Sequence, residues 1–227
     1  RQKLSPSSLR VFPSIEIMKI LVTGGAGFIG SHVVEGYREL GHQVVIVDDL
    51  SSGFKENLAP GVPFYEISIA SPEIRTILKK EQPDVINHHA AQIDIRRSML
   101  DPVDDARKNI IDSLNLFTTG IDAGVKKIIF ASSGGAIYGE HDLPSGESYP
   151  PSLSNPYGIG KYTVERYLDF FSTHRNIPSV SLRYANVYGP RQRGEGEGGV
   201  VAIFIQRLLR GERPVILGDG RQTRDFV

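Results

Sequence analysis

The amino-acid sequence predicts an α/β chain, a doubly wound parallel sheet with helices on both faces. Three observations lead there. From Ile17 onward, short apolar runs alternate with longer amphipathic ones, with no internal repeat and no low-complexity tract. Several short runs are apolar nearly throughout, as expected of strands covered on two sides rather than one. A glycine-rich turn, "TGGAGFIGSH", follows the first run and opens the first amphipathic segment, which is the junction of a βαβ unit.

The strands read, in order, as "KILVTG", "HQVVIVDD", "VPFYEI", "DVINHHA", "KKIIFASS" and "PSVSLRYANV", each rich in Val, Ile or aromatic residues. Helices fit between them at about 28–40, 71–81, 102–123 and 156–174, with one more near 199–210. Pro156 suits the opening of its helix, because its fixed φ is compatible with a first helical position. "RQRGEGEGGV" reads as a mobile glycine-rich loop, and "VILGDGRQTRDFV" as a strand, a turn and the start of another strand. No helix or cap follows it, so the sequence reads as stopping short. Residues 1–17, basic and Ser/Pro-containing, lack the apolar region of a signal peptide. They read as an extension or tag ahead of "MKILVTGG". Residues 18–180 then form a nucleotide-binding domain, and 181–227 the beginning of an incomplete C-terminal substrate-binding part.

The chain has 227 residues, enough to bury a substantial core. Its 26 basic and 26 acidic side chains balance, so no overall field recruits nucleic acid or an anionic membrane, and any affinity for phosphate is local. With no cysteine there is neither disulfide, thiolate nucleophile nor cysteine metal site, a composition that suits the cytoplasm. The apolar runs are far too short to span a membrane. His88 and His89 do not make a metal site, because adjacent strand residues point to opposite faces. They are expected at the carboxyl edge of the sheet, where open α/β sheets bind ligands, with a purely structural role as the even alternative.

Gly25, Gly27 and Gly30 satisfy GxGxxG, and Gly24, Gly27 and Gly30 satisfy GxxGxxG. Placed after a strand and at the opening of a helix, such a turn presents free N–H groups and a helix dipole to a pyrophosphate. Asp48 ends the second strand 18 residues after Gly30. A carboxylate there accepts hydrogen bonds from a ribose diol and repels a 2′-phosphate, which favours NAD over NADP. Tyr157 and Lys161 stand four apart behind Pro156, on one helix face. Alone, that spacing usually means nothing more than a solvated face.

Taken together, "MKILVTGGAGFIGSH", "VDDLSSG", "HHAAQ", "ASSGGAIYGE", "NPYGIGKY", "RYANVYGPRQ" and "GDGRQTRDFV" resemble the extended short-chain dehydrogenase/reductase superfamily. Within it they are most similar to the UDP-glucose 4-epimerases and related nucleotide-sugar enzymes of the NAD-dependent epimerase/dehydratase family. The resemblance runs over residues 18–227 without a gap and implies a Rossmann-like fold. It implies that Gly24, Gly27, Phe28, Ile29 and Gly30 lie under the pyrophosphate of NAD, with Asp48 and Asp49 at the adenine ribose and Ser68 and Ile69 near the adenine. His89, Ala90, Ala91, Gln92 and Ala185 would follow along the cofactor, with Asn109 bracing the Gln92 loop. Tyr157 and Lys161 would be the catalytic pair and would also hold the nicotinamide ribose. Asn186 and Arg224 would hold the diphosphate of a UDP-sugar, work for which a planar guanidinium is suited. A homodimer through the two long helices is implied as well.

The chain departs from the family pattern in three ways. Many relatives carry Ser or Thr where this sequence has Gly134, so Ser133, Ser132 or a water would supply the hydroxyl that bonds the sugar O4; Ser133 is the residue favoured. Ser68 replaces an Asp often found after the third strand. The family also continues past "RDFV" with further sugar and uracil contacts.

Tyrosine, with a pKa of roughly 10, is a poor base at neutral pH, and reaching 7 takes roughly 4 kcal/mol. Burial works against that shift. Lys161 in a dry cleft, together with the positive nicotinamide ring, is what the chemistry needs. Dehydratases of the superfamily carry Thr-Asp-Glu, and related decarboxylases a Glu, in the stretch held here by Gly134, Gly135 and Ala136. Residues that cannot transfer a proton suit an epimerisation at C4 through a transient 4-keto sugar. UDP-glucose and UDP-galactose are the first expectation. UDP-glucuronate and UDP-N-acetylhexosamine come next, and a dehydratase, a decarboxylase or a non-catalytic NAD-binding protein after them.

Overall fold

Ile20, Leu21 and Val22 are all buried, yet they belong to two separate apolar clusters, because successive strand residues point to opposite faces of a sheet. The same alternation runs through the neighbouring strand, with Val44 and Ile46 on one side and Val45 and Val47 on the other. The computed structural model describes residues 16–139, 144–194 and 199–227. Most of the expected N-terminal extension and the centre of the expected glycine-rich loop lie outside the described residues.

Six strands form one sheet: β1 (Lys19–Thr23), β2 (Gln43–Asp48), β3 (Phe64–Glu66), β4 (Val85–His88), β5 (Lys127–Ser133) and β6 (Ser179–Tyr184). Their order is β3-β2-β1-β4-β5-β6 and every neighbouring pair is parallel. The chain winds outward from β1 to β3, returns to lay β4 against β1, and winds the other way to β6. The carboxyl ends of β1 and β4 therefore flank the point where the winding reverses, the usual ligand crevice of such sheets.

The helices are α1 (Phe28–Glu39), α2 (Ile74–Glu81), α3 (Ile95–Leu100), α4 (Pro102–Ala106), α5 (Asp112–Asp122), α6 (Gly134–Tyr138), α7 (Pro156–Arg175) and α8 (Val200–Leu209). One face of the sheet packs Leu21, Ile86, Ile128 and Phe130 against α2, α5 and α7 through Leu78, Phe117 and Leu168. The other face packs Ile20, Val22 and Ile46 against Val34 and Tyr37 of α1. None of the helices in the described residues is long and apolar enough to cross a membrane.

All six expected strands and the five expected helices are present, with two corrections. The expected helix at 102–123 is not regular. Arg107–Ile111 between α4 and α5 form a π-helical turn, closed by the Asp112 N–H on the Arg107 carbonyl, and α3 precedes it. Asp94 caps α3 by accepting from the Arg97 N–H, and Asp101 caps α4 by accepting from the Asp104 N–H. The second correction concerns Val215–Leu217, which form no strand: they are 54–76 % exposed and have no partner strand. Nearby, Asn186 and Phe226 make a single parallel bridge.

Candidate active site

The turn after β1 is shaped by close backbone approaches. Gly24 has φ +69°, and a Cβ on it would stand 2.7 Å from the Ala90 nitrogen, so the turn rests directly on the chain leaving β4. At Gly30 a Cβ would lie 2.1 Å from the Gly24 carbonyl oxygen. The helix that begins at Phe28 has no side-chain cap and no acidic residue in its first turn, which leaves its N–H groups and positive dipole end open to an anion. Asp48, at the end of β2, is 7 % exposed and accepts from the Ala26 and Leu50 N–H groups. Burial raises its pKa and those two bonds lower it. Asp49 accepts from the Ser51 N–H, Ser68 from the Ala70 N–H, and Ile69 is buried. A cradle no Cβ could enter, an uncapped helix end and a carboxylate beside it fit a dinucleotide.

The two histidines part company. His88 is 1 % exposed, bonded to the Thr23 and Ser113 hydroxyls at 2.7 and 2.8 Å and stacked on Phe130. It belongs to the core, so the expected place for it at a ligand-binding edge is corrected. His89 stacks on Tyr184, and its Nε2 is buried without a partner. Burial and then the Lys161 charge lower its pKa to about 4, which keeps it neutral.

Beyond it, the Ala90 N–H donates to the Thr23 hydroxyl, and Ala91 leads into Gln92. The Gln92 main chain is held at both ends by Asn109: its N–H donates to Oδ1, and its carbonyl accepts from Nδ2. The Gln92 side chain is committed to Asp94 and Asp105.

α7 starts as its sequence dictates. Asn155 accepts from the Gly158 N–H at 2.8 Å and Pro156 takes the first turn. Tyr157 and Lys161 then project together, with the Lys161 Nζ 5.7 Å from the centre of the tyrosine ring. Lys161 is 4 % exposed, donates to the Ala131 carbonyl at 2.8 Å and lies 4.7 Å from the Phe130 ring centre. Burial lowers its pKa to about 8, opposed by the Asp105 carboxylate. Burial, and secondly Asp105, push Tyr157 up to about 12.

The facing wall runs from β5 into α6. Ser132 donates to Glu165 at 2.6 Å and is 4 % exposed, so the alternative that its hydroxyl serves a sugar is corrected. Ser133 is partly exposed and accepts from the Ala136 N–H at 3.3 Å. A Cβ on Gly134 would lie 3.3 Å from the carbonyl oxygens of Arg183 and Tyr184. The missing side chain thus lets this segment settle against β6. Ala136 lies against α7 one residue from Tyr157, its carbonyl 2.4 Å from where a Gly158 Cβ would stand.

Beneath the wall, Glu165 binds Arg183 through both oxygens, and Arg183 donates to the Tyr138 hydroxyl. This network was not read from the sequence, although Glu165 follows Lys161 by four residues and so shares its inward face.

Ala185 follows β6 directly, and Asn186 is joined to the chain end, its N–H and Nδ2 both donating to the Asp225 carbonyl. Arg224 is exposed and donates to the Thr223 carbonyl. The bridge therefore brings the two expected diphosphate residues into one region. From there the chain crosses to α1: Arg191 pairs with Glu35 and donates to the Ser31 hydroxyl, and the Pro190 carbonyl bonds the His32 ring. Arg193 pairs with Glu56 and stacks 3.4 Å from the Phe54 ring centre.

The model of the NAD dependent epimerase/dehydratase family matches residues 20–227. A UDP-glucose 4-epimerase of Mycolicibacterium smegmatis is 42 % identical over 216 residues, covering 92 % of this chain and 69 % of the relative. The crystal structure of UDP-glucose 4-epimerase from Thermotoga maritima with UDP-glucose superposes with a TM-score of 0.89 at 52 % identity, over 92 % of this chain and 69 % of that one. That of the Thermus thermophilus UDP-glucose 4-epimerase with NAD gives 0.88 at 42 % identity, over 92 % and 70 %.

Proposed function

The chain belongs to the NAD dependent epimerase/dehydratase family, and on that premise we propose that it is an NAD-dependent nucleotide-sugar 4-epimerase acting on UDP-glucose and UDP-galactose. The observation that carries the reading is the pairing of Tyr157 and the buried Lys161 with a wall, Gly134 to Ala136, that holds no ionisable side chain. Tyr157 is the proton-transfer residue for the sugar, and among the described residues of the wall from Gly134 to Ala136 there is no second acid or base to eliminate water or stabilise loss of carbon dioxide.

Gly24, Gly27, Phe28, Ile29 and Gly30 hold the pyrophosphate, Asp48 and Asp49 the adenine ribose, and Ser68 and Ile69 border the adenine. His89, Ala90, Ala91, Gln92 and Ala185 line the nicotinamide half, with Asn109 fixing the Gln92 loop. NAD, when bound, supplies the hydride acceptor and donor for C4 of the hexose. Tyr157 takes the proton from the O4 hydroxyl and returns it to that oxygen once the 4-keto sugar has turned and C4 takes the hydride back on its other face, and Ser133 offers its hydroxyl to the same oxygen.

Moving Tyr157 from about 12 to near 7 takes roughly 7 kcal/mol. Lys161, desolvated and close, favours the phenolate, and the water-poor cleft strengthens that attraction. Asn186 and Arg224 hold the diphosphate. In this reading residues 18–180 carry the cofactor and the catalytic pair, and 181–227 begin the sugar-nucleotide part.

Proton NMR of the 227-residue chain with NAD and UDP-galactose tests the reading. Growth of the UDP-glucose anomeric signal is the expected result. Conversion of only UDP-glucuronate or UDP-N-acetylglucosamine would move the substrate, and conversion of none would sink the epimerase.

We also propose a homodimer through α7 and the α3–α5 run, where Met99, Val103, Ile111, Ile159, Tyr167 and Phe170 are 43–67 % exposed. Light scattering at twice the 25.0 kDa chain mass is expected; the single mass would refute it.

A further inference from the structure

Asp105 is a charged side chain 2 % exposed, in the last turn before the π-helical segment. Its Oδ1 accepts from Gln92 Nε2 and Asn109 Nδ2, both at 3.0 Å. Its Oδ2 is buried with no hydrogen-bond partner and points at α7, 3.7 Å from where a Cβ on Gly160 would stand. Gly160 lies between Tyr157 and Lys161 in the sequence, so this carboxylate approaches the helix that carries both. The π-helical turn places Asn109 beside it and then sends the Asn109 carbonyl to the Ser113 hydroxyl, which bonds His88. Such turns recur at functional sites. A buried carboxylate with a free oxygen is costly unless a positive charge compensates it.

We propose that Asp105 is a positioning residue of the reaction site: its carboxylate clamps the Gln92 loop and provides the negative charge that keeps buried Lys161 an ammonium ion. The inference rests on the epimerase reading for what the ammonium is used for, but its own test does not need turnover.

The charges around the couple support this assignment. Asp105 is the opposing influence that raises Lys161 against burial; burial in turn holds Asp105 above its ordinary value, opposed by the bonds from Gln92 and Asn109 and by the Lys161 charge, while Asp104 adds to the rise. At the end of β4, His88 and the following His89 are lowered by burial first and by Lys161 second, so they are neutral rings beside it. On α7 itself stand Tyr157, which burial and then Asp105 raise, and Glu165, whose carboxylate is committed to Ser132 and Arg183. At a pKa of about 8, Lys161 is about nine-tenths charged at pH 7, and one unit lower it would be about half charged. Without Asp105 the ammonium fades in the range where the tyrosine needs it. The cost is a direct push on the phenol in the wrong direction, moderated by the two N–H groups that draw on the Asp105 charge.

The test follows Lys161 itself. In the full chain labelled with ¹³C-lysine, the Lys161 Cε–Hε signal is identified by its loss in Lys161→Met and titrated from about pH 6 to 11. Removing a nearby negative charge disfavours the ammonium, so the midpoint falls by about one unit or more in Asp105→Asn. Asp105→Ser, smaller than the native side chain, shows the same fall if the amide does not fold. Asp105→Glu restores the midpoint. In turnover, Asp105→Asn moves the alkaline limb of kcat downward by the same amount, with KM for UDP-galactose within about twofold. A Lys161 midpoint unchanged in both uncharged variants overturns the proposal, whatever the activity. A falling midpoint in a chain that turns over no UDP-sugar upholds the charge assignment and removes the epimerase reading instead.

Discussion

Tyr157→Phe folds, keeps its cofactor and loses turnover by about 10³-fold, the scale of a proton transfer in the transition state. The fold is spared because, among the described residues, no hydrogen bond of the Tyr157 hydroxyl ties elements together, and the ring keeps its packing beside Lys161. The loss is severe because the described polar groups nearest the couple are already committed. Ser132 is bound to Glu165, His89 is stacked on Tyr184, Lys161 donates to the Ala131 carbonyl, and Gly134 to Ala136 offer no acid or base. Interconversion of UDP-galactose and UDP-glucose followed by NMR, with thermal melts in and out of NAD, separates the two effects. Turnover within tenfold of the parent would take the proton transfer away from this tyrosine.

Gly30→Ala is the second large effect, on binding rather than chemistry. A methyl at 2.1 Å from the Gly24 carbonyl oxygen and 2.8 Å from its carbon meets backbone on both counts, so the turn has to open. Overpacking of this kind costs about 1–3 kcal/mol, and the displaced N–H groups no longer converge on a pyrophosphate. NAD at about 100 times its Kd stabilises the parent by about 2.7 kcal/mol. The same concentration should leave the variant's melting temperature unmoved, an affinity loss of about 100-fold or more. Gly36→Ala, on the same helix with nothing within 4 Å of the added atom, is the control and should behave as the parent. Equal NAD stabilisation in Gly30→Ala would detach this turn from the cofactor.

What the sequence displays depends on length and on partners. The strands were legible because runs such as "HQVVIVDD" are apolar on both faces, and α1 and α7 because they are long enough for helical period and caps to agree. α3 and α6, of six and five residues, are shorter than any periodic window. Val215–Leu217 read as a strand because β-propensity records packing against a neighbour, and here there is none. The glycine turn was visible through local spacing, whereas the Tyr157–Lys161 pair, whose spacing alone means little, was visible only through the family resemblance. The inward charges were not: Asp105, Glu165 and the half-buried Arg183 look like ordinary surface residues until the fold brings Gln92, Asn109, Ser132 and Tyr138 to them. His88 erred in the other direction, since a titratable ring can be fully satisfied by two hydroxyls.

The crossing of Arg191 onto α1 bears on how the molecule comes into being. The Arg191–Glu35 and Pro190–His32 contacts join residues 156 and 158 positions apart, among the widest sequence separations in the described chain. Ordering so long an intervening segment is an entropic cost that no local helix or hairpin repays in advance. The outer side of the first helix is therefore finished only after β6 has docked at the far edge of the sheet. The Arg191–Glu35 contact is thus a marker of the completed topology rather than of any local element.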